Sequence, residues 1–578
     1  MNDQQVDRPL HLLDHNYFLP VIYPDIVDEV ETLSCGESDD DDVLSDGENE
    51  VPVEQNPETY TIIPGVQVGS QIYVDNLNFK YYKKSSVRNR LYLVCHRKNH
   101  NDWPFCPATA IVNLNNPGHL SLNRKHIHRP ETINKPLAFF REAVSQRVLS
   151  PGNLSSSIRL VYNQEIVNHP EAAENYTCLQ TEHRIKRQRR CRRPPLPSSL
   201  DHLVQILNDP IHKKYSHTIR RPPTRFFRSD WPLIVDGNQV GVVFANMETI
   251  ERYRAELGTV VVAGIDGTFK TVPKSPPELR KGAFVTFQIV YRSVSFPMVY
   301  AFLISMDQES YQALLNVIRN LLPLDYEQLC IITDFEMPLM NAVQTLMPET
   351  KLMGCWFHFC QAVIRYSKRK LNSVYHLFQS SPIASRVLRM VLALPHLPAH
   401  RGHPDCPQHD INDGFRAIIN YVQQFPDIEV HLRTFLIGYV ERYWLSQVGP
   451  RILSIFGCEY RTNNYLESFH STLLTQMSKH PNIWDFIQKL TLIENQCFVE
   501  LHQARQNYTI RDTTSRQERF IKSQVIREQI QTLNVDGDIL MFLRRAGHHN
   551  DGYVQGQIGP FPVRYLTMNF DNILQVKI

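Results

Sequence analysis

Three acidic residues lie in settings from which carboxylates can reach a shared metal site. Asp266 occurs in VVVAGIDGTFKT and Asp334 in LCIITDFEMP, both where an apolar β-type run stops, whereas Glu467 occurs in the helix-like RTNNYLESFHSTL. Two divalent cations about 3.5–4 Å apart can activate an attacking oxygen and stabilise a leaving oxygen in phosphodiester chemistry. Because Mg²⁺ and Mn²⁺ prefer carboxylate oxygens, the three acids predict a site for two Mg²⁺ or Mn²⁺ ions that acts on DNA.

Each acid also has an ordinary structural explanation. Asp-Gly is a common turn signal, TDFE fits a turn at a strand end, and a glutamate on a helix is often solvated. Glu459 and Glu441 are alternatives to Glu467 as the third acid. If the three carboxylates do converge, they would repel one another without a cation and raise at least one pKa. A metal ion is therefore part of the prediction.

Residues 229–360 have the pattern of a mixed α/β sheet. Apolar runs bounded by turn signals predict strands at VVVAGI, AFVTFQIVYR, FPMVYAFLIS, LCIITDF and KLMGCWFHF. The spacing of Leu314, Val317 and Ile318 predicts a helix between the third and fourth strands, and PLMNAVQTLM predicts another. This order is that of an RNase H-like sheet, in which the fourth strand lies beside the first. From about 360 to 530 the periodicity is helical, so a helical block precedes Glu467.

Four candidate zinc ligands occur in the aromatic-rich, β-type segment 69–133. They are Cys95, Cys106, His126 and His128. Two thiolates and two imidazoles make a complete tetrahedral Zn²⁺ set, and in so short a segment the metal could replace a core too small to be stable alone. His96 and His100 are competing imidazoles. The alternative is two free cysteines and two surface histidines.

Two basic segments predict contacts with phosphates. RIKRQRRCRR at 184–193 holds seven bases and no acid, and 213–228 holds six bases and no acid. Such segments give DNA affinity that depends on salt rather than on sequence, although a solvated linker is an equal alternative. The first segment also predicts a nuclear localisation signal. The candidate DNA-binding residues are Arg184, Lys186, Arg187, Arg189, Arg190, Arg192, Arg193, Lys213, Lys214, Arg220 and Arg221.

Length and composition predict several globular units in a soluble, intracellular protein without a membrane partner. The chain has 578 residues, 42% of them hydrophobic, and its net charge of +2 hides eight acids within 37–50. Eleven scattered cysteines predict reduced thiols. The predicted units are a disordered acidic region 1–68, a β-rich zinc module 69–133, a helical and basic linker 134–228, the RNase H-like core 229–360, an all-α insertion 361–455, helices with the third acid 456–533 and a tail 534–578.

Four strings carry a resemblance to a known family. DGTFKTVP, TDFE, CWFH at 355–358 and NNYLESFH resemble the transposase domain of Mutator-like elements, the MULE domain. Members are DDE transposases with an RNase H-like fold. The resemblance implies that Asp266 and Asp334 are the two aspartates and Glu467 the glutamate. It also implies double-stranded DNA, at transposon ends and targets, as partner and a homo-oligomer that pairs two ends.

Cys355 and His358 match the CxxH of that family. Two ligands do not complete a zinc site, and the possible partners His470 and Cys360 have no support in the sequence. We therefore interpret Cys355 and His358 as residues that pack the site or approach DNA.

Segment 69–133 resembles a FLYWCH-type zinc finger. The resemblance is carried by Phe79, Leu91, Tyr92 and the four Cys and His residues, with Leu93 where that family usually has the tryptophan of its WxC. It implies that the four are Zn²⁺ ligands and that the module binds DNA or protein. The leading hypothesis is a DDE transposase. A domesticated, catalytically inactive DNA-binding protein or transcription regulator and a zinc-module interaction protein are the alternatives.

Overall fold

The described part of the chain covers most of the predicted units. The computed structural model describes residues 59–65, 69–98, 104–150, 157–191, 193–477, 479–510, 514–548 and 551–559. The acidic run at 37–50 and the last residues of the predicted tail lie outside this part, so the predictions made for them stay untested. No described helix combines the length and the apolar character that crossing a membrane requires.

The N-terminal module is a six-stranded antiparallel sheet whose strands follow one another in chain order. In β4 the alternating residues Leu91, Leu93 and Cys95 are buried, as expected for a half-buried strand. Although predicted to be disordered, residues 60–64 form β1, which pairs with β2 along its whole length. The strands are β1 (Tyr60–Pro64), β2 (Gln71–Asp75), β3 (Lys80–Val87), β4 (Arg90–Cys95), β5 (Thr109–Asn113) and β6 (Leu120–Arg124).

A small helical unit with its own core follows. Phe140 and Val144 of the first helix pack with Val161 and Ile185 of later ones. Asn134 caps the first helix by accepting a hydrogen bond from the Leu137 amide. The helices are α1 (Lys135–Leu149), α2 (Ile158–Glu165), α3 (Pro170–Ala173) and α4 (Cys178–Cys191).

The second sheet has seven strands in the order β13-β12-β9-β10-β11-β8-β7. β12 runs parallel to β9 and β13 parallel to β12, whereas the other neighbours are antiparallel. The prediction that the fourth strand of the core lies beside the first is confirmed, because β12 pairs with β9. The strands are β7 (Leu233–Val235), β8 (Asn238–Ala245), β9 (Val262–Thr268), β10 (Ala283–Tyr291), β11 (Val294–Leu303), β12 (Cys330–Thr333) and β13 (Lys351–Gly354).

Helices cover both faces of this sheet. On one face Phe226 and Phe227 pack with Phe244 and Trp484, so the end of the predicted linker belongs to the core of this domain. On the other face lies the predicted helix over Leu314, Val317 and Ile318, which is confirmed as α9. The helices up to β13 are α5 (Leu200–Asn208), α6 (Lys213–Ser216), α7 (Met247–Arg252), α8 (Arg254–Leu257), α9 (Gln308–Leu321) and α10 (Met337–Leu346).

A helical block follows β13, as the periodicity predicts. α15 continues as a π-helix over Leu436–Val448. Part of the predicted tail, α20, packs against α13 and α14. The helices are α11 (Trp356–Lys370), α12 (Asn372–Ser380), α13 (Pro382–Ala393), α14 (Ile411–Val422), α15 (Pro426–Phe435), α16 (Pro450–Leu453), α17 (Asn464–Met477), α18 (Ile483–Arg505), α19 (Thr514–Asp536), α20 (Ile539–Gly547) and α21 (Asp551–Ile558).

Candidate active site and metal centre

Two adjacent parallel strands bring Asp266 and Asp334 side by side. Ile332 of β12 is in register with Gly264 of β9, and each aspartate follows its member of that pair by two residues. Their side chains are 17% and 30% exposed, so both can reach an ion or a substrate. Burial and the negative charge of Asp334 together raise the pKa of Asp266. The negative charge of the two carboxylates is therefore not fully balanced by neighbouring groups of the protein.

Close docking of α17 on β9 brings the third acid to the sheet. Glu467 lies in the first turn of α17, where the sequence predicts a helix. A Cβ atom at Gly264 would lie 2.5 Å from the Tyr465 hydroxyl and 2.7 Å from Leu466 Cδ1. Because no side chain larger than hydrogen fits between strand and helix, Gly264 permits the approach that holds Glu467 beside the sheet.

His358 lies between Asp334 and Glu467. Its Nδ1 is 2.6 Å from Asp334 Oδ1 and its Nε2 is 2.9 Å from Glu467 Oε1. Burial lowers the pKa of His358, but Asp334, Cys355 and Glu467 outweigh that effect and raise it well above the usual range. Cys355 is buried directly after β13, and α11 begins at the next residue, so His358 lies on a helix and not on the predicted strand.

Two further side chains hold the aspartates. His470 Nδ1 lies 3.1 Å from Asp266 Oδ2, and its Nε2 lies 3.1 Å from the Thr286 hydroxyl on β10. The Asn463 amide donates to Asp334 Oδ1 at 2.7 Å. The sequence held a signal for each of these side chains. Asn463 is the first residue of the NNYLE string, and His470 follows Glu467 by three residues, which places His470 and Glu467 on the same helix face. His470 thus contacts Asp266, rather than completing a zinc site with Cys355 and His358.

Glu336 is a fourth acid at this site, which sequence reasoning missed. The Tyr311 hydroxyl contacts its two carboxylate oxygens at 3.0 and 3.1 Å. Burial, together with the charges of Asp266 and Asp334, raises the pKa of Glu336 to about 7 despite the hydrogen bond from Tyr311. The available signal was the two-residue spacing from Asp334, which places two side chains on one side of an extended segment.

The donor set fits a divalent cation at the aspartate pair. Asp266, Asp334 and Glu336 concentrate negative charge in a partly buried place, and carboxylate oxygens are the ligands of Mg²⁺ and Mn²⁺. Glu467 is separated from Asp334 by the imidazole of His358. Within the described ranges, the acids do not form a group whose ligand atoms all lie within 4.8 Å of one another.

The N-terminal Cys and His residues do form such a group. Single ligand atoms of Cys95, Cys106, His126 and His128 all lie within 4.8 Å of one another, close enough to hold one metal ion. Cys95 Sγ is 3.2 Å from His128 Nε2, Cys106 Sγ is 3.6 Å from His126 Nδ1, and the two histidine nitrogens are 3.3 Å apart. Tetrahedral bonds of about 2.0–2.3 Å to Zn²⁺ imply ligand separations of about 3.3–3.8 Å.

The surroundings of this Cys/His cluster fix its histidine rings. His126 Nε2 is 2.8 Å from the Tyr81 hydroxyl, which in turn donates to Asp75 at 2.8 Å. His128 Nδ1 is 2.7 Å from the Arg129 carbonyl oxygen. Such outer contacts orient metal-ligating histidines. Of the competing imidazoles, His96 contacts Glu131 at 2.8 Å, and His100 lies outside the described residues.

Residues 262–362 match the family model of the MULE transposase domain. This stretch runs from β9 to the first half of α11 and includes both aspartates and the CxxH pair. No curated protein matches the chain. Glu467 and the Cys/His cluster lie outside the matched residues. The MULE transposase domain indicates a transposase-related function, and transposases in general bind DNA and use divalent metals.

The basic residues flanking the MULE transposase domain fall into two groups. Some are engaged in the fold: Arg193 pairs with Asp485 and Arg220 with Glu494, and burial lowers the pKa of Arg184 and of Arg189. Arg192 lies outside the described residues. The exposed residues are Lys186, Arg187, Arg190, Lys213, Lys214 and Arg221. Of the predicted DNA-binding residues, these exposed ones can contact a phosphate while the protein stays folded.

Arg220 stabilises a buried carboxylate. Its Nη2 lies 2.6 Å from Glu494 Oε1, which also accepts from Asn246 at 2.6 Å. The Glu494 side chain is only 6% exposed. Arg220→Met is expected to lower the free energy of unfolding by about 3–5 kcal/mol, because it leaves a buried charge without its partner. Urea denaturation of the purified chain measures this.

The adjacent exposed residue supplies the control for Arg220. Arg221→Met removes the same charge and is expected to change the unfolding free energy by no more than about 0.5 kcal/mol. Equal losses for Arg220→Met and Arg221→Met would contradict a stabilising role of the Arg220–Glu494 pair.

Proposed function

We propose that this protein is a DDE-type DNA transposase of the nucleus, which binds transposon-end DNA and performs metal-dependent strand hydrolysis and transfer. The observation that carries the proposal is the adjacent pair Asp266 and Asp334 inside the MULE transposase domain. The strand order β11-β10-β9-β12-β13, with β12 and β13 parallel to β9, supports an RNase H-like fold.

Asp266 and Asp334 would hold Mg²⁺ or Mn²⁺, and these ions supply activation of the attacking oxygen and stabilisation of the leaving oxygen. His470 contacts Asp266 and is itself held by the Thr286 hydroxyl, and Asn463 donates to the Oδ1 atom of Asp334. Glu467 is proposed as the third acid, because it is one imidazole ring away from Asp334 on a helix that Gly264 allows to dock closely. Transfer between two DNA ends would require a homo-oligomer.

We propose Zn²⁺ as the metal of the Cys/His cluster. Its thiol and imidazole donors and their separations suit tetrahedral Zn²⁺, and the module would act as a FLYWCH-like finger that binds DNA or protein. Burial lowers the pKa of His126 to about 3, so its imidazole is in the neutral form that binds metals.

DNA binding can be tested through its dependence on salt. Replacing Arg187, Arg190, Lys213 or Arg221 by glutamine is expected to reduce the slope of log affinity against log salt concentration by about one for each phosphate contact removed. Fluorescence anisotropy with double-stranded DNA over a salt series measures the slope. Arg254→Gln is the control, because Arg254 is exposed on α8 and already pairs with Glu251. Affinity independent of salt would instead favour an interaction protein without DNA binding.

The position of Glu467 favours a second candidate. Its carboxylate contacts His358 and does not group tightly with the aspartates, as expected if the chain is a domesticated regulator that binds DNA without cutting it. Incubating the purified protein with terminal-repeat DNA and Mg²⁺ or Mn²⁺ separates the candidates. Nicked or joined products support the transposase, whereas salt-dependent binding without any metal-dependent product supports the regulator.

A further inference from the structure

Two cysteines remote in sequence meet at the start of β12. Cys330 is the first residue of that strand, and Cys458 lies in the loop between α16 and α17. Their thiols are hydrogen-bond partners, and both side chains pack against the same cluster of Ile332, Met353 and Ile455. Both residues are half-buried.

A positive charge is in direct contact with one of the two sulfurs. Lys351 is in register with Cys330 on the neighbouring strand β13, and its Nζ lies 3.0 Å from Cys458 Sγ. The hydrogen bond from Cys330 and the charge of Lys351, with a smaller contribution from Arg461, lower the pKa of Cys458 to about 6. The hydrogen bond with Cys458, followed by burial, raises the pKa of the Cys330 thiol. Cys458 is thus the thiolate that attacks the oxidant, and Cys330 is the thiol that then forms the disulfide bond.

We propose that Cys330 and Cys458 form a redox-active dithiol, which hydrogen peroxide oxidises to a disulfide bond and a thiol reductant converts back to the two thiols. This role is independent of DNA cleavage. Two observations carry it: the contact of two half-buried cysteines that pack against one cluster, and the ammonium group 3.0 Å from one of their sulfurs. Disulfides inside cells are usually of this transient, redox-sensing kind.

The chemistry needs only hydrogen peroxide as oxidant. The Cys458 thiolate attacks one peroxide oxygen, so that an S–O bond forms, the O–O bond breaks and the leaving hydroxide takes a proton to become water. Cys330 then attacks the sulfur of the resulting sulfenic acid. An S–S bond forms, the S–O bond breaks, and the thiol proton of Cys330 leaves with the hydroxide as a second water. Two thiols are oxidised by two electrons, and one peroxide is reduced to two waters.

The disulfide would fix the start of the loop that leads to the active site. From Cys458 the chain passes Arg461, whose carbonyl accepts from the Trp356 amide at 2.9 Å, and reaches Asn463 on Asp334. A covalent bond from Cys458 to β12 would restrict opening of this loop. Hydrogen exchange of the amides at 458–463 is therefore expected to slow in the oxidised protein.

The test uses the full-length protein, hydrogen peroxide, alkylation with N-ethylmaleimide and peptide mass spectrometry. The expected product is a Cys330 peptide joined to a Cys458 peptide, which dithiothreitol separates again. In Cys330→Ser the sulfenic acid of Cys458 is expected to accumulate and to be trapped by dimedone. Lys351→Met is expected to slow disulfide formation about fivefold at pH 6, because losing an opposite charge raises a thiol pKa by about one unit.

Cys178 supplies the reference thiol within the same chain. It is partly exposed at the start of α4, and it is expected to stay available to alkylation at peroxide doses that join the pair. The proposal is overturned if the wild-type chain yields no joined peptide while Cys178 and Cys458 oxidise equally, or if Lys351→Met leaves the rate unchanged. Neither result would bear on DNA cleavage, which is measured separately under reducing conditions.

Discussion

Replacing Asp266 or Asp334 by asparagine is expected to lower the rate of metal-dependent DNA strand cleavage by about 10³-fold or more. Asparagine keeps the shape of the side chain but loses the negative charge that would hold a divalent cation. Metal ions contribute several kcal/mol to phosphoryl-transfer transition states, and each 1.4 kcal/mol is about tenfold in rate. Gel analysis of labelled terminal-repeat DNA with Mg²⁺ or Mn²⁺ measures the loss.

The fold should survive these two substitutions. Burial and the charge of Asp334 raise the pKa of Asp266, so the ionised pair is unfavourable in the absence of a cation. In Asp266→Asn the asparagine removes that repulsion, and the melting temperature is expected to stay the same or to rise. Asp325→Asn is the matched control, because Asp325 is exposed in the loop before β12 and should leave cleavage unchanged. Cleavage at the wild-type rate by Asp266→Asn would refute the proposed role of the pair.

Removing the proposed Zn²⁺ from the N-terminal module is expected to unfold its six-stranded sheet. The buried hydrophobic cluster of this sheet is small, with Tyr81, Leu91 and Leu93 among its members. Structural Zn²⁺ contributes about 10–16 kcal/mol of binding free energy in zinc-finger peptides. We therefore expect Cys106→Ser, or chelation, to abolish protection from hydrogen exchange over 71–124.

Metal analysis and hydrogen exchange of the same samples provide the measurement. The wild-type chain should carry about one Zn²⁺ in the module, and Cys106→Ser should carry none there. Cys178→Ser is the control, since Cys178 belongs to the neighbouring helical unit and should leave both readouts unchanged. A sheet that stays protected without metal would show that its side chains alone stabilise it.

The sequence predicted the central strands because their patterns are local. β10, β11 and β12 are nearly continuous apolar runs, as is the first half of β9, and strand order then places Asp266 beside Asp334. The four Cys and His residues were predicted because a complete ligand set occurs in one short segment. In each case the decisive residues lie within a single recognisable element or module.

Contacts between remote segments could not be predicted in the same way. The contact of His358 with Glu467 depends on how α11 and α17 approach each other, and no local pattern sets this. Arg220 resembles other members of a basic run, and only the fold reveals that Glu494, far along the chain, is its partner. Glu336 is the last residue of the TDFE string, but only its proximity to Asp266 and Asp334 in the folded chain identifies it as part of the site.

How close Glu467 lies to the sheet is set by Gly264 of β9. It does not depend on the length of the chain between Gly264 and Glu467. The helical block could therefore gain or lose residues without changing the distance from Glu467 to the aspartates. Counting residues between the acids is then a poor guide to homologous sites. A better guide is a paired signature: glycine two positions before the first aspartate, and an aromatic residue two positions before the glutamate, as Gly264 and Tyr465 stand in this chain.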